Sequence, residues 1–126
     1  MKVTLRTRIS SQDIHYAGGS ATGGIASGAK VLELFGDAAT ELLIRHDGDE
    51  GLFRAYQSVE FLAPVKAGDF LEVTGRITRV GKTSRDMVFE AYKVIEGSTN
   101  PKKPTQARFL DKPVLVAKAK GTCVIK

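Results

Sequence analysis

Residues Gly18 to Leu43 read GGSATGGIASGAKVLELFGDAATELL. The stretch opens on glycines and small residues and then takes on a helical pattern. Ile25, Ala29, Leu32, Phe35, Ala39 and Leu42 recur at the spacing of one helical face. Glu33, Asp37 and Glu41 recur four apart on another. The pattern predicts one helix from about Gly23 to about Leu43, with Thr22 or Ser20 as its N-cap. Every other segment reads as strand or turn. The fold is therefore built from one helix and a sheet that supplies the rest of its core.

Outward from that helix, period-two alternation marks the strands. Residues 2–9 set Val3 and Leu5 against Lys2, Thr4 and Arg6. Asp47-Gly48-Asp49-Glu50-Gly51 is a turn, and Leu52–Phe61 follows with Phe53, Ala55, Val59 and Phe61 on alternate positions. Pro64 lacks the N–H that a central ladder needs, so a bend or an edge lies there. Phe70–Val80 and Ser84–Val94 are two strands joined by the hairpin turn Gly81-Lys82-Thr83. Glu96 to Lys112 reads as a long surface loop, and Val114 to Ile125 as the last strand. One helix and about five strands, without repeats or an internal boundary, predict a single α+β domain over residues 1–126, with an antiparallel sheet around the helix.

Bulk properties narrow the function classes. The chain has 126 residues, 42% hydrophobic and 26% charged, which suits one ordinary folded domain. Its net charge of +5 fits an anionic partner such as a phosphate-bearing cofactor. The basic residues are scattered, with no run longer than Lys102-Lys103, so no nucleic-acid groove is expected. Met1 to Arg6 alternates like a strand and lacks an apolar run, and no segment approaches a membrane span. A cytoplasmic protein that does not engage membranes is expected. The single cysteine, Cys123, sits beside Val124 and Ile125 and reads as a buried strand residue.

Several segments together carry a family resemblance. Asp13-x-His15-Tyr16-x-Gly18, the pair Gly23-Gly24, Asp37 within the helix, and Val59 to Asp69 with its Pro and Gly-Asp turn are similar to acyl-CoA thioesterases of the hotdog fold. Gly36-Asp37-Ala38-Ala39-Thr40-Glu41-Leu42, Asp47-Gly48-Asp49, Glu60 to Phe70 and Phe89-Glu90-Ala91-x-Lys93-Val94 resemble more closely the β-aminoacyl-CoA ammonia-lyases of that fold. The resemblance covers about residues 10–95 and resumes at Pro113-Val114-Leu115. It implies a curled sheet wrapped around one long helix. It also implies elimination of ammonia from 3-aminobutyryl-CoA or β-alanyl-CoA, and a homodimer unit built into a higher homo-oligomer.

That reaction needs a base for the α-proton, a stabiliser for the thioester enolate and a route for the leaving ammonium. The thioester already acidifies the α-carbon, so coenzyme A enters as part of the substrate and no covalently bound cofactor or metal is expected. Asp37 is the first candidate base, on a helix that the sheet should cover. Glu41, one turn on, either raises the basicity of Asp37 or is itself the base while Asp37 holds the substrate ammonium. His15 has a suitable intrinsic acidity. Gly23 and Gly24 are expected to bring helix-start amides to the enolate oxygen. Tyr16 either hydrogen-bonds the thioester or packs, and Glu60 either faces the site or is exposed at an edge. For the phosphates of coenzyme A the candidate cations are Lys82, Arg85, Lys102 and Lys103, with Arg79 beside the same hairpin.

Ala26-Ser27-Gly28 matches the tripeptide that cyclises to the electrophilic prosthetic group of aromatic amino acid ammonia-lyases. Those enzymes are large helical proteins, and inside a helix the cyclisation would break backbone hydrogen bonds, so the match is discounted. Two rival readings stand. One is an acyl-CoA thioesterase in which Asp37 activates water; the other is a non-catalytic acyl-binding module with a solvated acidic stripe.

Overall fold

Alternation in the sequence becomes one twisted antiparallel sheet. The structure, a computed structural model, describes residues 1–17 and 24–125. In chain order the elements are β1 (Lys2–Arg8), a single 3₁₀ turn (Ser11–Asp13), β2 (Ile14–Tyr16), β3 (Ile25–Ala26), α1 (Gly28–Asp47), β4 (Leu52–Phe61), β5 (Phe70–Val80), β6 (Ser84–Gly97) and β7 (Ala107–Val124). The main sheet has the order β1-β5-β6-β7-β4, and β2 and β3 pair as a separate ribbon. The helix packs on one face of the sheet, chiefly against β5 and β1. The Phe35 ring stacks on Phe89 with centroids 5.4 Å apart. Leu42 from the helix and Leu71, Val73, Met87 and Ala91 from the sheet complete the centre of the core. Each large apolar side chain buried there contributes about 1.5–3 kcal/mol.

The helix starts later than its pattern suggests. Ser27 is the N-cap, and its Oγ accepts from the Ala29 N–H at 3.0 Å. Ile25 and Ala26 belong to a strand instead: the Ala26 N–H donates to the Val65 carbonyl at 2.6 Å, and Ile25 bridges to Lys66. Thr22, Ser20 and Gly23, expected at the helix start, lie outside the described residues. At the other end α1 runs one turn beyond Leu43 and closes on Gly48, at φ +68°, whose N–H donates to the Ile44 carbonyl at 2.9 Å. Phe35, Ala39 and Leu42 are buried as expected, but Leu32 is only half-buried and Ala29 is exposed. Val31, Leu34, Ala38 and Leu43 take the remaining core positions.

Two sheet details also depart from simple alternation. Register shifts in β4 between Phe53 and Ala55 and between Tyr56 and Ser58 change its phase. Phe53, Tyr56 and Val59 therefore pack on the core, while Ala55 and Phe61 are exposed. The long loop after Glu96 is shorter than expected, because β6 and β7 stay paired out to Gly97 and Ala107. Residues 110–113 bulge out between the pairs Lys93–Val114 and Ile95–Phe109. Pro113 sits in that bulge, where no ladder N–H is required. Only residues 98–106 remain as connection.

Cys123 is buried, with its Sγ 3.9 Å from the Met87 sulfur, and burial pushes its thiol up to about 11. Arg85 is buried too. Its Nη2 and Nε reach the two Asp47 carboxylate oxygens at 2.8 and 3.1 Å, and Nη1 donates to the Gly81 and Ser84 carbonyls. This fork ties the end of α1 to the hairpin turn. The hydrogen bond from Arg85 holds the Asp47 carboxyl below its ordinary value, against the opposing pull of burial. A carboxylate so depressed adds stability above its ordinary value and loses it as pH falls through the folded value. Arg85→Met is therefore expected to lower Tm at neutral pH, with the gap from the native protein narrowing below about pH 4. Thermal melts across a pH series would check this, and a gap independent of pH would refute it.

Candidate active site

The late start of α1 creates a concave site. The β2–β3 ribbon stands on one side of the helix N-terminus, and the segment leaving β4 on the other. Between them lies a cavity of about 390 Å³. Tyr16 and Ile25 from the ribbon, Gly28 and Val31 from the first turn of α1, and Phe61 and Val65 from the β4 side line it. Its walls are mainly apolar, and no lysine, arginine or carboxylate lines it. Gly28 permits the closest contact: a Cβ there would lie 2.8 Å from Cζ of Phe61. The Gly28 N–H is one of the first-turn amides that have no intrahelical acceptor. It stands at the positive end of a twenty-residue helix, where a developing oxyanion is stabilised.

The segment from Ala63 to Asp69 that bounds this cavity is fixed from beneath by a buried carboxylate. Asp69 is fully buried. Its Oδ2 accepts from the Lys66 N–H at 2.9 Å, and its Oδ1 accepts from Lys66 Nζ and from the Gly97 N–H, each at 2.9 Å. Lys93 Nζ lies 3.2 Å from Oδ2. Both lysine side chains are nearly buried, and Glu96 Oε2 lies 3.9 and 4.0 Å from their ammonium groups, so two carboxylates offset two cations and the cluster holds the bend to the end of β6.

The residues expected to form the site are dispersed. Gly24, at φ +101°, precedes the helix by more than three residues, and a Cβ on it would collide with the Tyr16 carbonyl. It shapes the ribbon, and the first residue of α1 is Gly28. Ala26-Ser27-Gly28 straddles the junction of β3 and α1 rather than lying inside the helix, with the Ser27 N–H bonded to the Asp13 carbonyl at 3.1 Å. Tyr16 lines the cavity and is largely exposed. His15 is exposed beside it, the two rings edge-on with centroids 4.7 Å apart. Glu60 is exposed on β4, opposite Lys118, and does not line the cavity.

The sheet does not cover Asp37, contrary to expectation. It is exposed, with no hydrogen-bond or ion-pair partner among the described residues. It lies nine residues beyond Gly28, roughly 13 Å along the axis. Glu41 is taken up by Arg45, whose Nε donates to it at 2.8 Å, so its charge is offset. Among the expected phosphate cations, Arg85 is committed to Asp47 as described, and Arg79 pairs with Asp86 at 2.7 Å. Lys82, Lys102 and Lys103 are exposed. The signal for Gly28 was present in the sequence: Ser27 is a strong N-cap residue immediately before it.

Comparison with known proteins bears on the fold and the family. Residues 23–97 match the family model of the thioesterase superfamily. The chain is 53% identical to 3-aminobutyryl-CoA ammonia lyase of Acetoanaerobium sticklandii, over 99% of this chain and 94% of that protein. The solved structure of β-alanyl-CoA:ammonia lyase from Clostridium propionicum matches with a TM-score of 0.90 at 37% identity, covering 99% of this chain and 85% of that one. A hexameric hotdog fold thioesterase of Campylobacter jejuni matches with a TM-score of 0.75 at 18% identity, covering 95% and 79% of the two chains, a likeness of fold. The helix-on-sheet architecture is thus the hotdog fold, and the chain belongs to the thioesterase superfamily. Within it, the chain belongs to the β-aminoacyl-CoA ammonia-lyases, which are carbon–nitrogen lyases.

Proposed function

We propose that this protein reversibly eliminates ammonia from 3-aminobutyryl-CoA to give crotonyl-CoA. The observation that carries the choice of acyl group is the higher identity to the 3-aminobutyryl-CoA enzyme, 53% against 37% for the β-alanyl-CoA enzyme. The apolar cavity would take the four-carbon acyl group and the start of the pantetheine arm. The thioester oxygen would sit at the Gly28 N–H, which stabilises the enolate as the α-proton leaves. A carboxylate takes that proton, the enolate collapses, and the C–N electrons depart with the amine. Acid–base catalysis of this kind is worth about 10²–10⁴ in rate. No covalently bound prosthetic group enters the scheme.

Asp37 supplies the base in this reading, with Glu41 and His15 as further acid–base groups. Within one chain Asp37 and the Gly28 amide lie too far apart along α1 to act on the same thioester carbonyl and its α-carbon. A second copy that brings its Asp37 to the cavity resolves this. The edge strand β4 supports such a dimer: its outer ladder groups are unpaired, and Leu52, Phe61 and Leu62 at its ends are exposed. Higher assembly of the dimers is proposed by analogy with the hexameric Campylobacter jejuni thioesterase of the same fold. No described helix is long and apolar enough to cross a membrane. With a CoA thioester as substrate, we place the enzyme in the cytoplasm.

Mixing the protein with crotonyl-CoA and ammonium, while following the enoyl-thioester absorbance and free thiol, tests the reading. Loss of the enoyl absorbance that depends on ammonium, without thiol release, is expected. Thiol release independent of ammonium would instead make the chain a thioesterase of the same superfamily. No change in either, with acrylyl-CoA as well, would overturn the enzymatic reading.

A further inference from the structure

An acyl-CoA is apolar at its thioester end and carries its phosphates at its nucleotide end. The cavity beside Gly28 suits only the first, since no cation lines it. Among the described residues eight cations are already engaged: Arg6 by Glu72, Lys30 by Asp13 and Glu33, Arg45 by Glu41, Arg79 by Asp86, Arg85 by Asp47, Arg108 by Glu96, and Lys66 and Lys93 by Asp69 and Glu96. Lys2 and Arg76 share a cleft of only about 50 Å³ with Glu90.

Arg8 differs from all of these. Its side chain has no hydrogen-bond or ion-pair partner among the described residues, and it lines a cavity of about 520 Å³ with no carboxylate in its wall. Arg8 ends β1 opposite Phe70, so its backbone is fixed by the sheet. The floor of this cavity is backbone. Gly68 and Gly97 approach so closely that a Cβ on Gly97 would lie 2.9 Å from the Gly68 carbonyl carbon. Ile9 clamps the same floor, donating to the Asp69 carbonyl and accepting from the Gly68 N–H, both at 2.8 Å. The opposite wall is the end of the 98–106 connection, Pro104 to Gln106, which brings Lys102 and Lys103 next along the chain. The two cavities flank one segment: Val65 lines the first and Ala67 the second, no more than about 7 Å of chain apart.

We propose that this second cavity receives the phosphorylated nucleotide end of coenzyme A, with Arg8 as its fixed cation and Lys102 and Lys103 adding charge from the connection. The inference rests on the acyl-CoA reading above. A guanidinium free of carboxylates pairs with phosphate through two parallel hydrogen bonds, which an ammonium does not reproduce.

The test compares crotonyl-CoA with crotonyl-pantetheine, which lacks the nucleotide, in the ammonium-dependent assay. The native protein is expected to favour crotonyl-CoA in kcat/KM. Arg8→Ala should reduce that preference about tenfold, through KM, and Arg8→Lys should recover part of it. An unchanged preference in Arg8→Ala overturns the proposal, and so does an equal loss on both substrates. Failure of the native protein on both thioesters removes the lyase reading instead. In that event calorimetric titration with coenzyme A itself decides the subsite. A Kd weakened about tenfold by Arg8→Ala keeps the proposal, and an unaltered or undetectable Kd for the native protein overturns it.

Discussion

Asp37→Asn is expected to lower ammonium-dependent turnover of crotonyl-CoA about a thousandfold while moving Tm by no more than about 2 °C. The two halves of that expectation come from one observation. Asp37 is exposed and has no partner among the described residues, so its charge does not stabilise the folded chain. Asn and Asp also have similar helix propensities. A Tm that fell with the activity would mean that Asp37 is structural. Activity retained within about tenfold would mean that it is not the base, since a positioned general base contributes more than that. Glu41→Gln gives the contrast. It removes an exposed i,i+4 pair with Arg45 worth about 0.3–0.5 kcal/mol, so the ratio of the two rate losses apportions the roles of base and ammonium holder. The arrangement across two copies can be read from the same variants. Gly28→Val drives a side chain into the Phe61 ring and should block the cavity. Each variant alone would be nearly inactive, but mixed oligomers of the two would recover activity, because one copy supplies the carboxylate and the other the cavity. No recovery would mean that both groups act from one chain.

Asp69→Ala carries the largest expected cost to stability. The substitution leaves Lys66 and Lys93 nearly buried with only the more distant Glu96 carboxylate as counter-charge, and it strips acceptors from the Lys66 and Gly97 N–H groups. Removing one member of a buried ion cluster costs about 3–5 kcal/mol. For a domain of this size that lowers Tm by roughly 10–20 °C. Thermal unfolding followed by circular dichroism would measure it, and a fall of only a few degrees would show that water already reaches the lysines. The two predictions separate cleanly, one carboxylate being bare on the helix and the other enclosed beneath the bend.

The strands with unbroken alternation were legible in the sequence position by position. Leu71, Val73, Met87, Phe89 and Ala91 all point into the core, and the hairpin between β5 and β6 falls at Gly81 to Thr83. Legibility failed where a local irregularity changes the period. Two register shifts in β4 turned Phe61 outward, toward the cavity. Ile25 fits the apolar template of a helix and Ala26 falls within its expected span, but the ribbon pairs both and the Ala26 N–H is claimed by Val65. Pro113 reads as a strand breaker, yet the bulge at 110–113 absorbs it.

The family was legible through its motifs, and the geometry of the candidate site much less so. That Arg85 is spent on Asp47, 38 positions earlier, is a long-range fact that no local spacing announces. Arg8 reads as a solvated strand end until the glycine floor and the 98–106 connection are placed around it. The exposure of Asp37 is equally non-local, because periodicity gives the face of a helix and not what covers that face.

The bend between the two cavities has a practical consequence. Val65 looks to one side and Ala67 and Gly68 to the other, while Asp69 and the bridge to Ile25 anchor the backbone between them. Such an anchored divider cannot slide toward one compartment to enlarge the other. Room for a bulkier acyl group would have to come from trimming side chains such as Val65 or Val31, not from backbone give. For anyone redesigning the substrate range under the proposed function, the first cavity is then an independent dial, and turning it leaves the second where it was.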